Sequence, residues 1–114
     1  MFAFDHVGIT TIVKQPNENW VEQSHVWVTN PHNHPENIEF LRYEADSSVP
    51  EVIKENPHIA FRVDSLKPHL AAPGVEIIIP PFVVGDFVEV VFVRKYGTIF
   101  EYMHYLKEDW FSTS

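Results

Sequence analysis

The sequence predicts an α+β fold that is built mainly from short strands and contains an internal two-fold repeat. Short segments rich in Val, Ile, Phe, Tyr and Thr are separated by Pro, Asn and Gly, which is the pattern of strands joined by turns. Only two segments favour a helix, and both are short. Each half of the chain begins with a His-containing strand and ends with a Glu-containing strand. These three observations define the predicted fold class.

The length and composition favour one packed domain over residues 1–114. The chain has 114 residues, of which 45% are hydrophobic and 14% aromatic, which is enough apolar material for one core. A second independent core is hard to fit at this length. We therefore expect a single domain.

The charge balance restricts the possible partners. Eight Lys and Arg residues against sixteen Asp and Glu give a net charge of -8, and the sequence contains no basic run. These features argue against nucleic acid and anionic membrane partners and leave a small molecule as the expected ligand. The chain has no Cys and no apolar segment of membrane-spanning length, so we expect a cytoplasmic protein.

Seven strands and a weaker eighth candidate are predicted from apolar runs and alternation. The strands are expected at 4–12, 24–30, 37–44, 57–63, 75–79, 87–94 and 98–105, and the weaker candidate at 18–22. Short helices are expected within 47–55 and 63–72. Turns are expected at the Pro pair 80–81, at Pro-Gly 73–74 and in NPHNHPEN at 30–37.

Four polar residues recur at matched positions of the repeat. DHVGITT and PHIAFRV each place His second, while NIEFLRYE and IFEYMHYL each place Glu between apolar or aromatic neighbours. Because side chains alternate along a strand, a two-fold repeat that joins its first and last strands can point all four at one spot. Two imidazoles and two carboxylates suit Zn, Ni, Co, Mn or Fe. The predicted metal ligands are His6, Glu39, His58 and Glu101.

Each of these residues alone has a simpler explanation, which is a half-exposed polar side chain on a sheet surface. Two features favour a joint site instead. A strand glutamate between apolar neighbours lowers stability unless it is paired, ligated or solvated. In addition, both residue types recur in both halves of the chain.

The same motifs resemble the vicinal oxygen chelate superfamily, which includes glyoxalase I, methylmalonyl-CoA epimerase, extradiol dioxygenases and the bleomycin- and fosfomycin-resistance proteins. DHVGI at 5–9 and PHIAFRVDSL at 57–66 resemble the first strands of its two modules, and GTIFEY at 97–102 resembles the last strand of the second. The resemblance spans nearly the whole chain. It implies two βαβββ-type modules, over about 1–48 and about 55–106, that form a cupped, mostly antiparallel incomplete barrel.

One departure from the family pattern concerns the helix of the first module. The chain between His6 and Glu39 is short for a full helix and three strands, and KQPNEN at 14–19 is a poor helix former. We expect this helix to be reduced or absent.

The resemblance also implies a function. It indicates a metal-dependent lyase or isomerase, similar to glyoxalase or the epimerase, that acts on a small α-oxygenated carbonyl compound as a homodimer. One divalent ion would polarise the carbonyl and stabilise an enediolate while a carboxylate removes the adjacent proton. Glu101 is favoured as the catalytic base, and Glu39 as a ligand or a reciprocal acid-base partner.

Two alternatives of the same fold remain. A resistance-type protein would bind a small molecule or drug without turning it over, but sequestering relatives generally lack the four ligands. A non-haem iron dioxygenase would need only two His and one Glu, which leaves Glu39 unexplained.

Other residues are weaker candidates for substrate contacts or a second site. Arg62 shares the predicted face of His58 and could bind a substrate anion, although a solvent-facing strand end is the commoner explanation. Trp27 could line the pocket or could be a core or interface aromatic. His32 and His34 could form a second metal site, but a polar turn between prolines is the commoner meaning of this pattern.

Overall fold

The computed structural model describes residues 1–108 and 110–112, which form eight strands and two short α-helices. Three single-turn 3-10 segments complete the elements, at Glu22–Ser24, Pro31–Asn33 and Trp110–Ser112. The helices are α1 (Glu51–Glu55) and α2 (Lys67–Leu70). The strands are β1 (Phe2–Thr10), β2 (Asn19–Val21), β3 (Val26–Val28), β4 (Ile38–Tyr43), β5 (His58–Val63), β6 (Glu76–Val84), β7 (Val88–Lys95) and β8 (Thr98–Tyr105).

This set of elements fits the predicted α+β class, and each predicted strand overlaps an observed one. The weak candidate at 18–22 contains β2. The prediction of a turn at Pro80–Pro81 is wrong, because β6 runs through both prolines. Its pairing with β7 shifts register between Ile79 and Phe82, so the prolines lie in an irregular stretch. Strand prolines are tolerated at such bulges and on edge strands, since neither place requires their missing N–H.

The chain divides into two compact units. One consists of Met1–Asp5 with Ile59–Ser114, and the other of His6–His58. Strand β1 therefore contributes its first residues to one unit and the remainder to the other. None of the helices among the described residues has the length and apolar character that crossing a bilayer requires.

In the unit His6–His58 the strand order is β2-β3-β4-β1. Strand β4 pairs with β1 in parallel and with β3 in antiparallel orientation. Residues 11–18, between β1 and β2, form bends and turns rather than a helix, in agreement with the expectation of a reduced helix. The apolar side chains buried in this unit include Val21, Val26, Val28, Pro31, Leu41 and Ile53.

Helix α1 contributes one buried side chain to the unit His6–His58. Pro50 precedes the first helical residue, where its fixed φ suits a helix start, and Lys54 Nζ donates to the backbone oxygen of Ser47 at 2.6 Å. The helix ends before Asn56, which precedes Pro57 and has the extended conformation that a following proline favours. The inward side chain is Ile53, which is buried.

In the other unit β5, β8, β7 and β6 are neighbours in that order. Strands β6, β7 and β8 pair antiparallel. Strand β7 carries much of the core, because all of its apolar side chains are buried. A cluster under α2 joins it to its neighbours through Val63, Leu66, Val91, Val93 and Tyr102.

The contribution of α1 to stability can be measured with two isoleucines of opposite exposure. Ile53 is 1% exposed and Ile12 is 96% exposed. We expect Ile53→Ala to lower the free energy of unfolding by about 2 to 5 kcal/mol, because it removes buried methyl groups and leaves a cavity. We expect Ile12→Ala to change it by no more than about 0.5 kcal/mol. Urea denaturation of both variants is the measurement, and equal losses would contradict the packing described for α1.

Candidate metal centre

Backbone register brings three of the predicted ligands together within the unit His6–His58. Gly8 of β1 lies opposite Glu39 of β4 in the parallel ladder. His6 is two residues before Gly8, so its side chain leaves the same face of the sheet. His58 is the first residue of β5. The three side chains form what we call the triad, His6, Glu39 and His58.

The triad converges on one carboxylate oxygen. Glu39 Oε1 lies 3.2 Å from His6 Nε2 and 3.5 Å from His58 Nε2. The two imidazole rings are 5.5 Å apart between centroids and nearly perpendicular, at 79°. The exposed fractions are 0% for His6, 1% for His58 and 6% for Glu39. Polar groups buried to this degree are stable only when they interact with one another or with a ligand.

The two imidazoles of the triad control the ionisation of the Glu39 carboxyl. Burial by itself raises the pKa of the Glu39 carboxyl, but the adjacent His6 and His58 rings outweigh it and hold that pKa below its ordinary value. Glu39 is therefore a carboxylate at neutral pH. An ionised carboxylate is the form that binds a cation.

The donor set and its spacing fit a divalent ion. Two atoms that are each about 2.0 to 2.1 Å from a zinc ion at a tetrahedral angle lie about 3.3 Å apart. The two measured separations between imidazole nitrogens and Glu39 Oε1 bracket this value. One ligand atom from each triad residue lies within 4.8 Å of the others. Two imidazoles and a carboxylate are donors that Zn, Ni, Co, Mn and Fe accept.

The fourth predicted ligand, Glu101, belongs to the other unit. It lies in β8 opposite Phe92 of β7, and it is buried, with an exposed fraction of 6%. Within the unit His6–His58, the buried His and Glu side chains that could hold a metal ion are His6, Glu39 and His58.

The two predicted substrate-binding residues interact with other groups. The Arg62 guanidinium lies 4.5 Å above the ring of Tyr105 and has a nitrogen 3.6 Å from a carboxylate oxygen of Glu108. Trp27 pairs with Arg42 across β3 and β4, so alternation along β4 places it on the face opposite Glu39. A substrate role for either residue stays a prediction.

His32 and His34 belong to the turn between β3 and β4. The backbone N–H of Glu36 donates to His34 Nδ1 at 3.0 Å, and the backbone N–H of His32 donates to the Asn30 side chain at 2.9 Å. These local hydrogen bonds agree with the polar-turn interpretation.

Gly8 is a site residue that the sequence reasoning missed. A Cβ added at this position would lie only 2.0 Å from Cε1 and 2.3 Å from Nε2 of the His58 ring. The sequence did contain a signal for this role. A glycine in the interior of a strand with β-branched residues often marks the close approach of another group.

The sequence reasoning also missed a chain of hydrogen bonds that joins Asp5, Tyr105 and Trp110. Asp5 is buried, and its carboxylate accepts from the Tyr105 hydroxyl at 2.8 Å. The Trp110 ring N–H donates to the same hydroxyl at 2.9 Å, and the Trp110 ring packs 5.4 Å from that of Phe87. Burial and Asp5 raise the pKa of the Tyr105 hydroxyl above its ordinary value, so it is a neutral donor. These contacts hold Trp110 against Tyr105 and Phe87.

Comparison with known proteins adds a likeness of fold. No family model matches the sequence, and no curated protein matches it. Among solved structures, a match is the hypothetical protein BH1468 from Bacillus halodurans C-125, with 17% sequence identity, 99% of each chain covered and a TM-score of 0.67. Identity at this level supports a shared fold only. The likeness is compatible with the predicted barrel-like fold.

One histidine at the surface of the unit His6–His58 lies between two carboxylates. His25 Nδ1 lies 2.9 Å from Asp46, and His25 Nε2 lies 3.0 Å from Glu22. The two nitrogens point to different carboxylates, so this arrangement is a bridge between two acidic side chains. The hydrogen bond with Asp46, with a further contribution from Glu22, raises the pKa of His25 above its ordinary value of 6.5.

The raised pKa of His25 predicts a stability difference that depends on pH. A group whose pKa is higher in the folded state stabilises the fold fully below its unfolded pKa and loses this contribution as pH rises through the folded value. We expect the stability of wild type relative to His25→Gln to be largest near about pH 5.5 and smallest near about pH 8.5. Chemical denaturation across this range is the measurement. In the presence of Asp46→Asn, the stability difference caused by His25→Gln should depend less on pH. An identical pH profile for wild type and His25→Gln would contradict the interaction of His25 with Asp46 and Glu22.

Proposed function

We propose that this chain is a metal-dependent lyase or isomerase of the vicinal oxygen chelate type, acting on a small α-oxygenated carbonyl compound. The observation that carries the proposal is the convergence of the buried His6 and His58 Nε2 atoms on Glu39 Oε1. A buried site made of two imidazoles and an ionised carboxylate suits a divalent cation better than it suits a structural core, where apolar side chains would pack without the desolvation cost.

The strand orders support the two-module part of this proposal. In the unit His6–His58, β4 lies between β1 and β3, with β2 beyond β3. In the other unit, β8 lies between β5 and β7, with β6 beyond β7. Each set of four strands therefore has the order first, fourth, third, second. A duplicated module accounts for this repetition and for the matched His and Glu positions.

The roles of the two glutamates follow from their surroundings. Glu39 contacts both imidazoles through a single oxygen, the arrangement expected of a ligand that shares one ion with them. We assign Glu39 as a permanent ligand. This leaves Glu101, a buried carboxylate of β8, as the general base that takes the proton next to the substrate carbonyl. A bound divalent ion supplies charge stabilisation as the carbonyl oxygen becomes negative.

The first test is metal content. Protein purified without chelators or added metal should contain one divalent ion per chain by elemental analysis, or should bind one of Zn, Ni, Co, Mn or Fe on titration. Glu39→Gln should weaken binding by at least about tenfold, because it removes a charged ligand. Glu89→Gln, which changes a strand glutamate outside the triad, is the matched control. Absence of metal in every preparation together with no binding on titration would contradict the proposal.

The second test is proton abstraction, which can be followed before the natural substrate is known. In D₂O, the metal-loaded protein should exchange the α-proton of one or more small α-oxygenated carbonyl compounds, detected by NMR. Glu101→Gln should reduce the exchange rate by about 10² to 10⁴ while the protein stays folded and retains weakened metal binding. Glu89→Gln should exchange at the wild-type rate.

The same experiment separates the alternatives. Tight binding of a compound without any exchange would favour a sequestering protein. Oxygen consumption by the iron-loaded protein, with Glu39→Gln still active, would favour a dioxygenase that needs only two His and one Glu and gives Glu39 no role. A homodimer stays part of the proposal and is tested by light scattering.

A further inference from the structure

We propose that Gly8 is a positioning residue of the metal centre, because it creates the space in which the His58 ring presents Nε2 to Glu39. This inference rests on the proposed metal site and adds a residue that is not itself a ligand. Gly8 would determine which nitrogen of His58 binds the ion and how firmly the ring is held.

The backbone conformation does not explain a glycine at this position. The glycines with positive φ are Gly74, Gly85 and Gly97, whose conformations other residues adopt only with strain. Gly8 is absent from that set and lies in the regular parallel ladder between β1 and β4. A strand interior ordinarily favours a residue with a side chain, since glycine loses more entropy and packs nothing.

The close approach of His58 supplies the reason. An added Cβ would lie 2.0 Å from Cε1, 2.3 Å from Nε2 and 2.6 Å from Nδ1 of the imidazole. All three separations are far below contact distance, and the ring is rigid and buried, so it could not bend aside within the site. The edge of the ring that occupies this space is the Cε1–Nε2 edge. It is also the edge whose nitrogen lies 3.5 Å from Glu39 Oε1.

The register gives Gly8 a second constraint. It lies directly opposite Glu39, and His6 precedes it by two residues on the same face. The glycine therefore lies among the three members of the triad. A methyl group at Gly8 would displace His58 while His6 and Glu39 kept their places on their strands. The expected result is a site with one imidazole fewer.

The test compares Gly8→Ala with His58→Ala in metal binding. We expect Gly8→Ala to lower the affinity for Co²⁺ or Zn²⁺ by about 10- to 100-fold. Its Co²⁺ absorption spectrum should match that of His58→Ala rather than that of wild type, because both sites lack the same ligand. Thr10→Ala, two residues further along β1, is the control and should keep wild-type affinity and spectrum. Wild-type affinity and spectrum in Gly8→Ala would overturn the inference.

A double-mutant cycle without metal makes the inference independent of the proposed function. Gly8→Ala should lower the urea midpoint in wild type, but it should leave the midpoint unchanged or raise it in His58→Ala, where the ring is missing. Equal destabilisation by Gly8→Ala in both backgrounds would overturn the inference. Failure of both the single variant and the double variant to fold would also overturn it. If wild type binds no metal, the proposed function fails, and the cycle still decides whether Gly8 and His58 are coupled.

Discussion

The placement of a carboxylate between two imidazoles in a buried position constrains much of the unit His6–His58. An isolated buried charge would be strongly destabilising, so Glu39 is compatible with folding only if its partners are held at hydrogen-bonding or ligand distance. The parallel register of β1 and β4 provides His6, and the start of β5 provides His58. A shift of one residue in that register would turn Glu39 to the opposite face and leave both imidazoles facing an apolar side chain.

The surrounding elements supply the stability that such a polar centre does not. In the same unit the inward positions of β3 and β4 beyond Glu39 are occupied by Val26, Val28 and Leu41, and α1 adds Ile53. These residues bury apolar surface without any polar requirement, and burial of this kind is the main favourable contribution to folding. The division between an apolar frame and a polar centre is typical of sites in which function limits stability.

The sequence was most informative where a residue type conflicted with its neighbours. His6, Glu39 and His58 were predicted as a group because polar residues in apolar strands need partners and because the repeat matched them in pairs. Gly8 was missed because glycine has no chemistry of its own, and its importance lies in the space that another residue fills. The sequence could not predict on which face of the sheet Trp27 lies. That face depends on which residue of β4 is opposite Trp27, and this register is set by the pairing of the strands in the folded protein. The Pro pair was assigned to a turn because local propensity cannot distinguish a turn from an irregular edge strand.

The path of β6 through Pro80 and Pro81 also bears on how the protein behaves at high concentration. β6 is the last strand in its strand order, and an edge strand is a template on which a strand from another molecule can add. Because successive strand residues direct their N–H groups to opposite sides, the proline pair removes one N–H group from this edge, and the register is irregular there. An incoming strand would find an interrupted row of donors, although Ile77 and Val83 on the same strand are exposed and apolar. The prolines thus disfavour the formation of an intermolecular sheet at the edge strand β6.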